Sequence, residues 1–409
     1  MKGTINNQFL IATISKTHSE FAQQVGRFAG QSVGIEEIIG PEKFSGGEFR
    51  PVFRTEVKGK NVYLVVPQSQ YKSPMDMTAR VALTAYSCKQ RESGQVIAVF
   101  SELPFARQDR TQKEIEKEEK LKQEGTCAEA LLNTLHANGV DRILTMHMHS
   151  NKLYDICEKI YQRPGNEVLF NISPHPVVAH YLMNKSSLDF SEDGAKLAFI
   201  SPDAGADKFV DRVMSLIPIP KATHVKFEKA RKIPNKPGAV KIEIRNLDYL
   251  TNINFSFENK YLIIMDDIID TASTLMATVD WINVVHSEFD HKLGKPKGII
   301  IYGTHAVMAG TGYLGVQAEI IRRIEPVEII TTNTRQFITD PSDQNYLFNR
   351  VNTTLRVASF FGDAIVNCCE KNVHPDDYYK FDSFFDLNRK MEESPLYKIK
   401  RSESHFLEV

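Results

Sequence analysis

Between Tyr261 and Thr274 the chain reads YLIIMDDIIDTAST. An apolar, β-branched run leads into two adjacent acids, Asp266 and Asp267, and then into Asp270, Thr271, Ser273 and Thr274, ahead of a helical pattern that begins near Leu275. Small and hydroxylated residues at a helix amino terminus leave backbone N–H groups and Oγ donors free to surround a phosphate, and the helix dipole favours the anion. The two acids stand where they accept hydrogen bonds from ribose hydroxyls. Capping the helix requires one such hydroxyl, not three beside two acids. The segment predicts a site for a phosphorylated sugar.

Similar polar clusters follow other strand-like runs. SELPFARQDR follows QVIAVF (Gln95 to Phe100), HMHS follows RILTM (Arg142 to Met146), and SPDAGADK follows KLAFI (Lys196 to Ile200). THAVMAG follows GIIIYG (Gly298 to Gly303), and TTNT follows VEII (Val327 to Ile330). With NVYLVV (Asn61 to Val66), these apolar runs alternate with stretches of helical periodicity such as MDMTARVALTAYSCKQ and TLMATVDWINVVHSEF. That alternation predicts βαβ units and mostly parallel sheets, in two α/β halves that meet near residues 160–195. In an open parallel sheet ligands bind outside the carboxyl ends of the strands, so one register gathers the polar clusters around one or two clefts.

Composition sets the outer bounds. A chain of 409 residues with 42% hydrophobic and 25% charged residues is long enough for two globular domains. A formal net charge of −1 supplies no global attraction to nucleic acid or to an anionic membrane, so phosphate binding must be local. The five cysteines form no CxxC pattern, which fits a reducing compartment. No run reaches the ~18 apolar residues of a membrane span, and the start MKGTINNQFLIATI is not patterned as a secretory leader. The expected location is cytoplasmic. Lys113 to Glu124 reads as a solvated helical extension, the tail from Asp386 as a loosely ordered one, and the segment around Lys226, Lys229, Arg231 and Lys232 as an exposed basic hairpin.

Tyr261 to Thr274 resembles the PRPP-binding motif of type I phosphoribosyltransferases and of ribose-phosphate diphosphokinases, the PRPP synthetases. Further segments select the latter. KFSGGEFRPVFRTEVKGKNVYLVV (Lys43 to Val66) is similar to the family's KFxDGE segment, PFARQDR (Pro104 to Arg110) to its PYARQD, and RILTMHMH to the strand leading to its DLH. SPDAGADK resembles SPDxGGxKR, GTHAVMAG resembles ATHGxxSG, and TTNT resembles TNT, all in order from about residue 8 to about residue 335. The chain is identified by this resemblance as a divergent member of the family.

The resemblance implies an α/β fold of two type I phosphoribosyltransferase-like domains, each a mostly parallel sheet flanked by helices. Residues 1–165 would form the ATP side and 166–370 the ribose-phosphate side, with a mobile basic arm near 224–240 and a carboxyl-terminal extension over 371–409. It implies diphosphoryl transfer from Mg-ATP to the 1-hydroxyl of ribose 5-phosphate, giving PRPP and AMP, within a homo-oligomer built from dimers, up to a hexamer. Phe44 and Glu48 of a neighbouring subunit, with Arg107 and Gln108, would bind ATP; His149 and Asp203 would contact Mg2+ or phosphate; Lys229 and Arg231 would stabilise the transition state. Asp266, Asp267, Asp270, Thr271, Ser273 and Thr274 would hold the ribose phosphate. Two alternatives remain open at this point: the same chemistry on a larger acceptor such as ADP-ribose, and a non-catalytic regulatory homologue. The chain departs from the family pattern at His147, where an acid is usual, at Gly46, and at Ser273 in place of glycine. It also carries additions near 113–124, 160–195, 240–258 and after 370.

Overall fold

The computed structural model describes residues 9–14, 19–30, 36–37, 48–69, 73–117, 125–184, 186, 188–230, 241–288, 294–308, 313–336 and 352–378. They fall into two compact units. One is drawn from Met1–Ser173, Asn333–Ile338 and Val357–Lys380, the other from Pro174–Thr332, Thr339–Arg356 and Phe381–Val409.

The first unit carries β1 (Phe9–Thr13), β2 (Glu36–Glu37), β3 (Asn61–Val66), β4 (Gln68–Ser69), β5 (Val96–Phe100), β6 (Arg142–Met146) and β7 (Leu169–Ile172). All strands but β4 form one parallel sheet in the order β2-β1-β3-β5-β6-β7. Every residue of β5 and β6 is buried, as expected for central parallel strands covered on both faces. Helix Pro74–Gln90 starts from a Ser73 cap whose side chain accepts from the Met75 N–H, with proline at the first turn. It turns Met77, Val81, Ala85 and Cys88 into the core, a helical spacing that packs on the sheet.

The second unit carries β8 (Leu197–Ser201), β9 (Thr223–Ala230), β10 (Lys241–Ile244), β11 (Tyr261–Ile269), β12 (Gly298–Ala306), β13 (Glu328–Thr332) and, after β14 (Arg335–Gln336) of the first unit, β15 (Asn352–Leu355). Its sheet runs β10-β9-β8-β11-β12-β13-β15, parallel throughout except for the antiparallel β9–β10 pair at one edge. Three strands outrun their apolar cores: β11 includes Asp266 and Asp267, β12 includes buried Thr304 and His305, and β13 includes buried Thr331 and Thr332. Thr304 and Thr332 are satisfied inside the sheet, Thr304 Oγ1 lying 2.8 Å from Tyr302 Oη and Thr332 Oγ1 donating to the Thr304 carbonyl at 2.8 Å.

The division of the chain differs from the expected 1–165, 166–370 and 371–409. The first unit extends through β7 to Ser173, because β7 pairs with β6. Residues 357–378 also return to it. Helix Ala358–Ala364 is buried against helix Ser19–Phe28, with Phe361 edge-on to Phe21 at 5.4 Å, and a Cβ on Gly362 would meet the Val25 carbonyl oxygen at 2.6 Å. Farther along, Glu370 accepts from Tyr63 Oη at 2.6 Å and Asn61 Nδ2 at 3.0 Å, and Arg142 donates to Asn372 at 2.7 Å. All five cysteines are free, and Cys88, Cys157, Cys368 and Cys369 are buried.

One buried histidine gives the second unit a pH signature. His175 opens helix His175–Asn184, and burial, then the Arg212 charge, lowers its pKa from 6.5 to about 4. The unfolded chain therefore binds more protons between those values, so stability is complete above about pH 6.5 and is lost as pH falls through about 4. The loss expected from this group is about 2–3 kcal/mol. Urea midpoints of His175→Gln should fall less steeply between pH 7 and 4 than those of the unchanged protein; parallel curves would rule the group out.

Candidate active site

In the second unit the acids sit on the middle strand of the carboxyl edge. β11 runs between β8 and β12, so the loop after β8, with Asp203, lies next to Asp266. Asp266 Oδ1 accepts from the Asp267 N–H at 2.9 Å. Burial, then the charges of Asp267 and Asp203, push the Asp266 carboxyl well above the usual carboxylate range. Gly303 pairs with Asp266 in register, and a Cβ there would fall 2.3 Å from Ile269 Cγ1. Absence of that Cβ lets the two strands keep their spacing beneath the acids.

The turn from β11 into helix Ser273–Glu288 places its strain on Ala272, at φ 57°, rather than on Ser273. A left-handed conformation is uncommon for alanine and is favoured by glycine. Ser273 is the first helical residue, exposed, and its Oγ accepts from Thr271 Oγ1 at 3.2 Å. The serine in the usual glycine position therefore contributes a hydroxyl beside the helix amino terminus. Thr274 gives its carbonyl to Thr278 Oγ1 at 2.9 Å, and Asp270 is half-buried at the end of the strand. Thus Asp203, Asp266, Asp267, Asp270, Thr271, Ser273 and Thr274 lie along one sheet edge, at the ends of β8 and β11 and the start of the following helix.

Asp203 is held by its own turn, its Oδ1 accepting from the Gly205 N–H at 3.0 Å, ahead of helix Asp207–Ser215. Lys229 lies on β9 opposite Ile242 of β10, within the expected basic hairpin. Arg231 lies outside the described residues.

In the first unit, Arg107 and Gln108 are exposed on the loop after β5, and His149 is exposed on the loop after the neighbouring strand β6. Glu48 is exposed, and Phe44 lies outside the described residues. The β5 loop is pinned at its base. Ser101 Oγ accepts from the Gln68 N–H at 2.8 Å and donates to the Thr334 carbonyl, while Arg335 forms a two-pronged ion pair with Glu102. β14 lies beside β4, which brings Arg335 there. At the far end, Thr111 and Glu114 make a reciprocal cap, with the Thr111 N–H donating to Glu114 Oε2 at 2.8 Å and Lys152 closing on Glu114 Oε1 at 2.7 Å. Of the mixed-charge run only its start is described, as helix Gln112–Lys117. The His147 departure is accommodated by a left-handed backbone at φ 45° whose N–H donates to the Ile172 carbonyl at 2.8 Å.

Glu102 and Arg335 tie down the base of the β5 loop, a pairing that no motif announces. Their separation of 233 residues hides the pairing from any local pattern. A divalent cation fits the acidic edge. A carboxyl that burial and neighbouring acids hold above its normal range, as at Asp266, is relieved by a cation or by hydroxyl donors. Among the described residues no group of three His, Cys, Asp or Glu side chains forms a ready-made cage. Mg2+ commonly uses one or two carboxylates plus waters and substrate phosphates, so an acidic edge of this kind suits an ion that arrives with a nucleotide. Among the described residues no helix is long and apolar enough to cross a membrane.

Residues 10–122 match the model of the N-terminal domain of ribose phosphate pyrophosphokinase. Ribose-phosphate pyrophosphokinase 1 of Streptococcus pneumoniae serotype 4 is 23% identical over 357 residues, covering 87% of this chain and 92% of that protein. The ribose-phosphate pyrophosphokinase of Prochlorococcus marinus is 25% identical over 374 residues, covering 89% and 93%. The crystal structure of phosphoribosylpyrophosphate synthetase from Mycobacterium smegmatis superposes with a TM-score of 0.64 at 18% identity, over 89% of this chain and 99% of that one. Along most of its length the chain is thus similar, at low identity, to ribose-phosphate pyrophosphokinases, and its α/β fold is that of a phosphoribosylpyrophosphate synthetase.

Proposed function

We propose that the protein transfers the β,γ-diphosphoryl group of Mg-ATP to the anomeric 1-hydroxyl of ribose 5-phosphate, yielding PRPP and AMP. The observation that carries this reading is the edge of the second unit, where Asp266 and Asp267 end β11 and hydroxyl-bearing Thr271, Ser273 and Thr274 surround the start of the next helix. The acids accept from the ribose hydroxyls and the helix start takes the 5-phosphate. O1 attacks the β-phosphorus, the bond from that phosphorus to the α,β-bridging oxygen breaks, and the hydroxyl proton is released. Lys229 and Arg231 hold the charge that builds on the equatorial oxygens. Arg107 and Gln108 bind ATP, with Phe44 and Glu48 contributed by a neighbouring subunit of a homo-oligomer. Mg2+, when bound with the nucleotide, would supply charge neutralisation at the phosphate oxygens; Asp203 of the second unit and His149 of the first are the residues that would contact the ion or the phosphates.

The test is AMP release from Mg-ATP with ribose 5-phosphate, ADP-ribose and other free-anomer ribosides offered in turn. A terminal phosphate dianion at Ser273 predicts a kcat/KM for ribose 5-phosphate about 10²-fold or more above that for ADP-ribose, which has less charge on that phosphate and needs room beyond it. The opposite ratio would replace the acceptor, and no acceptor-dependent AMP would remove the activity.

A further inference from the structure

The root of the β9–β10 hairpin is fixed by His224, Asp211 and Asn246, which belong to none of the motifs, together with Ser201 and Asp207 of the SPDAGADK segment. His224 on β9 lies between Ser201, the last residue of β8, and Asp211 on helix Asp207–Ser215. Its Nε2 is 2.6 Å from Ser201 Oγ and its Nδ1 is 2.7 Å from Asp211 Oδ1. An ionised carboxylate only accepts, so Nδ1 carries the proton that faces Asp211. Burial lowers the imidazole pKa, chiefly, against the opposing pull of Asp211. The neutral ring then accepts the Ser201 hydroxyl proton at Nε2.

Around this link the hairpin is tied down on both strands. Lys226, two residues along β9 and so on the same face, brings Nζ within 3.4 Å of Asp211 Oδ2. Arg245, just past β10, pairs with Asp207. Asn246 accepts from the Lys226 N–H at 3.0 Å and donates to the His224 carbonyl at 2.9 Å. The order serine, histidine, carboxylate is that of a hydrolytic triad, but Ser201 is 0% exposed and reaches no substrate. The relay is therefore a fastening.

What it fastens are two parts of the proposed site. Ser201 is two residues from Asp203, and His224 is on the strand that carries Lys229. We propose that His224 is a positioning residue, which locks the Ser201–Asp203 segment, helix Asp207–Ser215 and the root of the β9–β10 hairpin together so that Lys229 is presented in a fixed register. The inference rests on the diphosphoryl-transfer reading for its kinetic part and on geometry alone for its mechanical part. Displacing a reacting group by about 1 Å costs on the order of 10²-fold in rate, so loosening this root acts on turnover rather than on ATP binding.

The test uses the full-length protein and the variants His224→Ala, His224→Gln and His224→Asn, with Lys229→Ala alone and combined with His224→Ala. Amide hydrogen exchange should rise about tenfold or more over 224–230 and 241–245 in His224→Ala, while the strands 96–100 and 261–265 keep their protection. kcat should fall about 10²-fold with KM for ATP nearly unchanged. Gln, which reaches Ser201, and Asn, which reaches Asp211, should each recover part of both losses. Because His224 acts through Lys229, the double variant should be no slower than about twofold below Lys229→Ala. Unchanged exchange over the hairpin overturns the fastening; losses that multiply overturn its action through Lys229. Should the unchanged protein release no AMP, the transfer reading falls and the exchange result still decides the mechanical claim.

Discussion

Replacing Lys229 and Arg231 together with alanine is expected to lower kcat by about 10³-fold or more while leaving the affinity for ATP within a few-fold. Phosphoryl transfer demands little covalent chemistry of the protein, because the moving group carries its charge on equatorial oxygens and the work is positioning and cationic stabilisation. Cations that act on charge developed only in the transition state affect turnover and not ground-state binding. Lys229 stands on β9, whose root is fastened to β8 and to helix Asp207–Ser215, so it begins from a fixed strand. The check is steady-state AMP release alongside equilibrium nucleotide binding. A double variant that turns over within about tenfold of the unchanged protein removes both residues from the mechanism.

Breaking the Arg335–Glu102 pair is expected to give the largest loss of stability among single substitutions at the site supports. Side chains of Arg335 and Glu102 are only 14% and 10% exposed, and their contact is two-pronged, with the second N–H···O at 3.2 Å. Removing one member of such a pair leaves the other charge buried without compensation, at a cost of about 3–5 kcal/mol. Arg335→Met and Glu102→Leu should each lower the unfolding free energy obtained from urea titration by that amount, with a corresponding fall in the midpoint. Both changes together should recover most of it, because two apolar groups need no partner. Glu102 begins the loop that carries Arg107 and Gln108, so each single variant should also raise KM for ATP. Equal midpoints for all four proteins would show that the pair carries no net stability.

The parallel strands are legible in the sequence for a local reason. Strands covered on both faces need continuous apolar runs, and VIAVF, RILTM and LAFIS are buried throughout. The proposed acceptor segment is legible as well, since adjacent acids followed by hydroxyls and a helix are contiguous residues whose geometry follows from the strand–turn–helix order itself. Strand ends are not. Asp266, His305 and Thr332 break the apolar pattern, yet they lie inside strands because the flanking ladder continues to pair there.

By itself, then, the sequence determines the α/β class, the mostly parallel order of elements and the chemical character of the loops at the carboxyl edges. Tertiary structure alone decides which distant residues support those loops. Glu102 meets Arg335, Tyr63 meets Glu370, and Ser201, His224 and Asp211 meet across three elements. It also decides that residues 357–378 return to the first unit, where a shared core buries Phe361 against Phe21. The physical reason is the range of the forces involved. Periodicity and turn chemistry act over a few residues, whereas the burial of a charge or a ring is satisfied by whatever partner the folded chain brings near, at any separation in sequence.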